Sequence, residues 1–454
     1  MSNSTSAQMI FEGLFGKPVC SKFDSELRTS DSGASLLGAI DRKTKLTESL
    51  CSELADPRST NRIEHSYLDL FRQRVFSIAL GYPDGNDAAQ IGHDPIMKLV
   101  CGRKPADKRG LGSQPTLSRF EHAVTGREVV ALGRKLEELV IERVYRRNRH
   151  ARLITIDLDG SVDPTHGQQP FAFFSGYYDS WCYFPLLGFI TVDEQREQHL
   201  FHARLRPGAS NEARSTPALL RRTVANLRKT FKKARIRVRL DSGFAHPLIY
   251  DTLEDLKVEY VIGVPENSVL KERASREMRA AEVLAEQFGK TTTFFSETDY
   301  AARSWPRERR VVYKAEIVQA EGKSARRNAR FLVTNLRHKP QRTWEIYCKR
   351  GDSENRIKEL KGDLEIDRTS CASYIANQFR VLLAATAYVL FQDMRAALGN
   401  HEFSRSTVGT LRARLLKIGA TVTETVRRII ISMPSNFPWK DPWRRAAACV
   451  ASFD

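Results

Sequence analysis

Apolar residues recur three and four apart in the first third of the chain and at every second position in the next. Ile63, Leu68, Phe71, Val75 and Ile78 keep helical spacing until "GYPDGND" breaks the run with Gly, Pro and Asp. "SQPTLSRFEHAV" offers Pro115 and a Ser118-x-x-Glu121 capping box, which predicts a helix start. After Gly126, the residues Val129, Leu132, Leu136, Leu139, Val140 and Val144 form an amphipathic helical stripe. The period then drops to two. In "RLITIDLDG", Ile154, Ile156 and Leu158 fall on one strand face and Thr155, Asp157 and Asp159 on the other.

The alternation continues downstream. "FAFFSGYYDSWCYFPLLGFITV" reads as two strands joined near Asp179-Ser180, "STPALLRRTVANLRKTF" as a helix, and "RIRVRLDSGF" as a strand with Ile236, Val238 and Leu240 on one face. A short helix over Pro247–Leu256 leads to the strand "VEYVIGVPEN". The order is mixed α/β with an antiparallel start. Between Ser268 and Trp344 a charged helix precedes three candidate strands, "TTTFFSETDY", "RRVVYKAEIV" and "ARFLVTNL", which reads as a β-rich, basic insertion. A charged stretch, "YCKRGDSENRIKELK", follows, then the apolar helix "SYIANQFRVLLAATAYVLFQDMRAAL" and a basic C-terminal segment.

A chain of 454 residues exceeds one ordinary core, so several domains are expected. The opening "MSNSTSAQMI" reads as a loose tail without the features of a signal peptide. The apolar run Val381–Phe391 falls short of a membrane span, so a cytoplasmic protein is expected, with no membrane partner. Charge sharpens this. Lys and Arg number 72 against 54 Asp and Glu, a formal charge of +18. The excess recurs along the chain in blocks such as "YRRNRHAR", "RKTFKKARIRVR" and "KSARRNAR", a distribution that suits nucleic acid. Seven scattered cysteines form no C-x-x-C pair, so reduced thiols are expected rather than a zinc module or a disulfide framework.

Candidate chemistry rests on acids. Asp159 and Asp241 each end an apolar strand and open into a Gly- or Ser-containing turn, "DGS" and "DSGF". Such placement can bring two carboxylates to one sheet edge, and it is equally ordinary turn chemistry. Two-metal phosphoryl chemistry needs further oxygen ligands around hard cations. At about 100° per residue, Tyr347, Arg350, Glu354 and Lys361 share a helical stripe about 60° wide, while Asp352 and Glu359 point to the far side. An Arg-to-Glu surface pair gives the same spacing. In that helix, Gly351 would cost about 1 kcal/mol, which propensity does not explain. His166 and His246 lie near the two acids and read as structural loop residues. The aromatic run from Phe171 to Phe184 reads as strand core.

Tyr347-x-x-Arg350-x-x-x-Glu354-x-x-x-x-x-x-Lys361 resembles the Y-R-E-K signature of DDE transposases of bacterial insertion sequences. "IDLDGSVDPTHGQQ" and "RVRLDSGF" resemble the segments carrying that family's first and second Asp. "YFPLLGF", "LRPG", "EYVIGVPEN", "FLVTNL" and "GDSENRIKELKGDLEIDRTS" are similar to its insertion-sequence 1380-like group. The resemblance implies a ribonuclease-H-like catalytic domain over 151–267 and 345–397, interrupted by the insertion at 268–344. It also implies a helical N-terminal region, 1–150, that binds the DNA ends, and a basic segment, 398–454, that pairs subunits.

By the same resemblance Asp159, Asp241 and Glu354 are the catalytic, metal-binding acids, with Asp157 as a supporting carboxylate behind them. Arg350 and Lys361 hold phosphates of the cleaved strand, with Tyr347 beside them. Trp305 is a candidate for holding an extruded base, with packing as its other reading. The implied cofactor is Mg²⁺, two ions per site, with Mn²⁺ as a substitute. The implied partners are double-stranded DNA with terminal inverted repeats, target DNA and a second copy of the chain in a synaptic complex. A bacterial protein associated with the nucleoid when bound to DNA follows from this. The competing reading is a transposase-derived protein that binds DNA ends without cutting them.

Overall fold

A computed structural model describes residues 9–11, 19–21, 27–59, 61, 63–210, 212–319 and 324–453. The chain divides into two compact units. One comprises residues 1–45, 58–118 and 393–454, and the other residues 46–57 and 119–392.

The first unit is mainly helical, with α1 (Ala34–Thr44), α3 (Tyr67–Leu80), α4 (Ala88–Ile91), α5 (Pro95–Val100), α15 (Val408–Leu411) and α16 (Lys440–Ser452). Strands β1 (Met9–Phe11) and β2 (Val19–Ser21) pair with each other, and β3 (Arg28–Thr29), β15 (Ala420–Glu424) and β16 (Ile429–Ser432) form a second small sheet. Of the expected tail, residues 1–8 lie outside the described residues and Met9–Phe11 is a strand. Ser66 starts α3 with a capping box to Asp69, and Gly81 ends it at φ 86°, a left-handed conformation in which glycine has no steric cost.

The remaining elements are α2 (Leu46–Cys51), α6 (Gln114–Ala123), α7 (Gly126–Arg147), α8 (Glu212–Thr230), α9 (Pro247–Asp255), α10 (Ser268–Arg273), α11 (Ser275–Phe288), α12 (Pro340–Cys348), α13 (Gly351–Leu364) and α14 (Tyr374–Leu398). Their strands are β4 (Leu153–Gly160), β5 (Asp163–Pro164), β6 (Phe173–Ser175), β7 (Ser180–Tyr183), β8 (Leu186–Val192), β9 (His199–Arg204), β10 (Arg235–Leu240), β11 (Glu259–Val264), β12 (Thr292–Tyr300), β13 (Arg309–Val318) and β14 (Arg326–Thr334). The helix expected to begin at Ser118 begins earlier, so Ser118 and Glu121 lie inside α6. The box that does form is Thr125 with Glu128, at the start of α7.

Eight strands form one mixed sheet in the order β12-β13-β14-β11-β10-β4-β8-β9. At its centre β4, β10 and β11 run parallel, and every other pairing is antiparallel. The strands of 268–344 thus continue this sheet. A separate small sheet, β5-β7-β6, carries Phe173, Phe174, Trp181 and Tyr183 of the aromatic run. The edge strand β9 is closed by α14: Gln378 Oε1 accepts from Leu205 N at 2.5 Å, and Gln392 Oε1 accepts from Leu200 N at 3.2 Å. On α7, fully buried Glu137 accepts hydrogen bonds from Arg222, Thr223 and Asn226 of α8. Among the described residues one helix, α14, is long and apolar enough to cross a membrane, and 89% of its most apolar window is buried inside the protein.

Candidate active site

The site begins with a register. Parallel pairing sets Asp157 opposite Arg239 and Leu158 opposite Leu240, so Asp159 near the end of β4 and Asp241 just past the end of β10 come within reach of each other's charge. The residues of β4 alternate in chemistry as expected, yet both faces are buried. Further along the same sheet, α12 packs Trp344, Ile346 and Tyr347 on Val261 of β11 and Leu332 of β14.

Beneath the acids lies an ion pair. Arg239, nearly inaccessible, donates from Nε to Asp157 Oδ1 at 2.7 Å and from Nη2 to Asp157 Oδ2 at 2.6 Å. Its Nη1 donates to the Ile346 carbonyl at 3.1 Å, and Gln198 Nε2 adds a bond to Asp157 Oδ2 at 3.3 Å. Asp157 is therefore held by Arg239 of β10 and by Gln198, the residue before β9. It supports the strand end and does not face solvent.

One layer above, Arg350 bridges two of the acids. Its Nη1 donates to Asp159 Oδ2 at 2.7 Å and its Nη2 to Glu354 Oε1 at 2.9 Å. Burial pushes the Asp159 acid up to about 7; Arg350 pulls it back, and the carboxylates of Asp241 and Glu354 add to the push. Burial opposes the charge on Arg350, but Asp159, Tyr347, Asp241 and Glu354 outweigh it and hold the guanidinium charged. Burial likewise raises the Tyr347 phenol, which bonds Arg350. Asp241 accepts from Gly243 N at 2.8 Å, so the turn after β10 fixes its carboxylate. Glu354 is about half exposed.

Gly351 is not inside a helix. The segment breaks at Lys349-Arg350, where Arg350 N donates to the Tyr347 carbonyl at 2.9 Å and Ser353 N to the Arg350 carbonyl at 2.9 Å. Gly351 is then the first residue of α13, where the interior penalty does not apply. Lys361 donates to the Val162 carbonyl and lies 3.4 Å from Asp367, which ties α13 to the loop after β4. Of the far-side acids, Glu359 is buried and accepts from Tyr388 at 3.0 Å.

Gly263 on β11 shows how close the fit is. A Cβ there would stand 2.9 Å from the Tyr347 hydroxyl, 3.0 Å from Ser242 N and 3.4 Å from the Asp241 carbonyl carbon. We expect Gly263→Ala to cost about 1–3 kcal/mol, since the backbone around the second acid must give way. Urea unfolding checks this, and an unchanged midpoint would mean that the cleft has slack.

Other expected residues fall elsewhere. Trp305 packs edge-on against Tyr250 and Tyr300, with Arg309 over its ring. His246 caps α9 by accepting from Leu248 N, and His166 is exposed. The aromatic run corrects the expectation of strand core: Tyr183 is buried, but Phe171, Phe173, Phe174, Tyr177, Tyr178 and Trp181 are all exposed. Alternating apolar density looks the same whether a hairpin is covered or open. Pattern reasoning also missed Asp163, a buried acid that accepts from Thr369 Oγ1 and is pushed up to about 8 by burial. It lies in "DGSVDP", where nothing in the local pattern marks a buried carboxylate.

Among the described residues no three His, Cys, Asp or Glu side chains stand close enough to hold a metal ion as they are. The donor chemistry nevertheless fits a hard divalent cation. Asp159 and Asp241 are oxygen donors crowded enough to repel each other's charge, and Arg350 supplies the positive charge between Asp159 and Glu354.

Carboxylates at the ends of central parallel strands, with an Arg-Glu pair presented from a helix across them, define a class of acid-centred α/β proteins. The chain belongs to the family Transposase DDE domain group 1, whose model matches residues 11–453. This is a family of transposases, which act on DNA and generally use divalent metal ions. No curated protein matches the chain.

Proposed function

We propose that this protein is a DNA transposase of the Y-R-E-K type, in the insertion-sequence 1380-like group, that cuts the ends of its element and joins them to target DNA. The observation that carries the reading is the meeting of Asp159 and Asp241 at one sheet end, with Glu354 linked to Asp159 through Arg350. The parallel core of β4, β10 and β11 supports a ribonuclease-H-like catalytic domain over 151–267 and 345–397, with 268–344 as its insertion. Residues 1–150 would recognise terminal inverted repeats of double-stranded DNA, and 398–454 would pair two copies in the synapse.

Asp159, Asp241 and Glu354 would hold two Mg²⁺ ions, for which Mn²⁺ substitutes; when bound these activate the attacking oxygen and neutralise the leaving one. Arg350 then has a second task. Freed from the carboxylates, it turns a two-pronged donor toward a phosphate of the cleaved strand. Lys361 would give a point charge on the same side. Tyr347 keeps Arg350 oriented, and the pair of Asp157 and Arg239 keeps both strand ends rigid. A water attacks first and leaves a 3′-hydroxyl, which then attacks target DNA. Excision is cut-and-paste, with a hairpin on the element's end as one route.

The test uses purified full-length protein, Mg²⁺ and labelled DNA spanning the gene's own flanking ends, resolved on a denaturing gel. Cutting at the repeat boundary by wild type, absent in Glu354→Gln, is the expected result. A specific gel shift without any cutting would instead support the transposase-derived binding protein.

A further inference from the structure

Among the described residues, every exposed aromatic ring of large apolar type except Phe288 lies between Phe171 and Trp181. The cluster is built on the hairpin β6–β7. Phe174 and Trp181 pair directly across its strands, with ring centroids 6.2 Å apart, and are 54% and 57% exposed. The connection carries Tyr177, 88% exposed, edge-on to Tyr178 at 4.8 Å. Leaving such rings in water forgoes burial that most proteins use, and a concentrated patch of them marks a binding surface.

The patch has two neighbours that identify its ligand. One is the acid cluster. Tyr178 leans on Phe184 at 6.2 Å, and the Phe184 ring lies against Gly160, the residue after Asp159, where an added Cβ would come within 2.3 Å of it. The other is a basic groove of ≈ 460 Å³ lined by Arg204, Arg206, Arg214, Ser210 and Ser215. Gly208, between the lining residues Pro207 and Ala209, ties the groove to the hairpin: its N donates to the Phe171 carbonyl, and an added Cβ there would meet the Cys182 carbonyl oxygen at 2.1 Å. Arg204 and Arg214 are exposed and make no ion pair among the described residues. Open rings beside unneutralised arginines are what unpaired nucleic acid requires, since every base has a face to stack and every link a phosphate to neutralise.

We propose that the β6–β7 hairpin and the Arg204–Arg214 groove bind unpaired DNA, stacking bases of the strand whose phosphate enters the acid cluster. The inference rests on the transposase reading for its substrate and names where that substrate's unpaired segment lies. Phe174 and Trp181 stack; Tyr177 and Tyr178 carry the strand toward Asp159; Arg204 and Arg214 hold the phosphates.

The experiment is a binding measurement on the full-length protein in EDTA, so that no cutting is needed. The probes are a labelled oligothymidylate, the same strand carrying 2-aminopurine, and the fully paired duplex. Wild type should bind the single strand and quench 2-aminopurine. Phe174→Ala and Trp181→Ala should each weaken single-strand binding on the order of tenfold and lose the quenching, with duplex binding unchanged as the check on folding. Trp181→Tyr should restore most of the affinity. Replacing both arginines by Ala should flatten the salt dependence by about 0.7 per residue in the log–log slope. Unchanged single-strand affinity in the aromatic variants overturns the proposal. So does a Trp181→Ala protein that sediments as a smaller oligomer while binding DNA normally, which would reassign the patch to contact between copies. Wild type that cuts duplex ends but ignores single strands removes this inference alone, whereas single-strand binding without cutting removes only the transposase reading.

Discussion

Asp159→Asn should abolish DNA cutting and at the same time make the protein more stable near pH 8. The first effect follows from losing a charged oxygen donor at the point of reaction, a loss expected to exceed about 10³-fold. The second follows from the folded acid's value of about 7 against 3.8 for the ordinary side chain. Between those values the native protein holds a proton that the unfolded chain has released. Wild-type stability therefore falls as pH rises through that window and levels off above it. At about 1.4 kcal/mol per pH unit, the penalty of ionising Asp159 in the fold is on the order of 2–4 kcal/mol. Asn carries no such penalty, so the two proteins should converge near pH 4 and separate toward pH 8. Urea unfolding in EDTA across this range measures the difference. Glu354→Gln supplies the contrast, because its half-exposed side chain should lose cutting with little change in stability. An Asp159→Asn protein that is less stable than wild type at pH 8 would mean that the Arg350 bridge, not desolvation, governs this acid.

That opposition between activity and stability was not visible in the chain, although the acid itself was. Asp159 and Asp241 stood out because each closes a run of alternating apolar residues, a local pattern. Glu354 stood out through a spacing that also holds across the helix break, since Arg350 still reaches both it and Asp159. What local patterns cannot carry is register. Nothing near Asp157 in the chain announces Arg239, because their pairing depends on which strands become neighbours. The same holds for Gly263, whose missing side chain matters only because Tyr347 arrives from another element. The aromatic hairpin failed for a different reason. Its residues have strand chemistry, and only the absence of a covering layer separates a core from a platform. Gly351 is costly only within one continuous helix, and the helix breaks two residues before it.

The register also makes Asp157 the position where a single change should do most damage to folding. Asp157→Ala would leave the Arg239 guanidinium, 4% exposed, without the two hydrogen bonds that justify its charge there. Removing one member of such a buried pair costs about 3–5 kcal/mol, mostly as the penalty on the charge left behind. Arg239→Met should cost a similar amount for the mirror-image reason. The double variant Asp157→Ala/Arg239→Met leaves neither charge, so its loss should be smaller than the sum of the singles by about 1–3 kcal/mol. Urea midpoints for the three proteins give this coupling directly, and strictly additive losses would mean that the two side chains act independently. The double variant should still cut poorly. Arg239 Nη1 also holds the Ile346 carbonyl, one residue before Tyr347, and a methionine cannot make that bond. Stability regained without activity would locate the function of the pair in aligning α12, and through it Arg350, with the ends of β4 and β10.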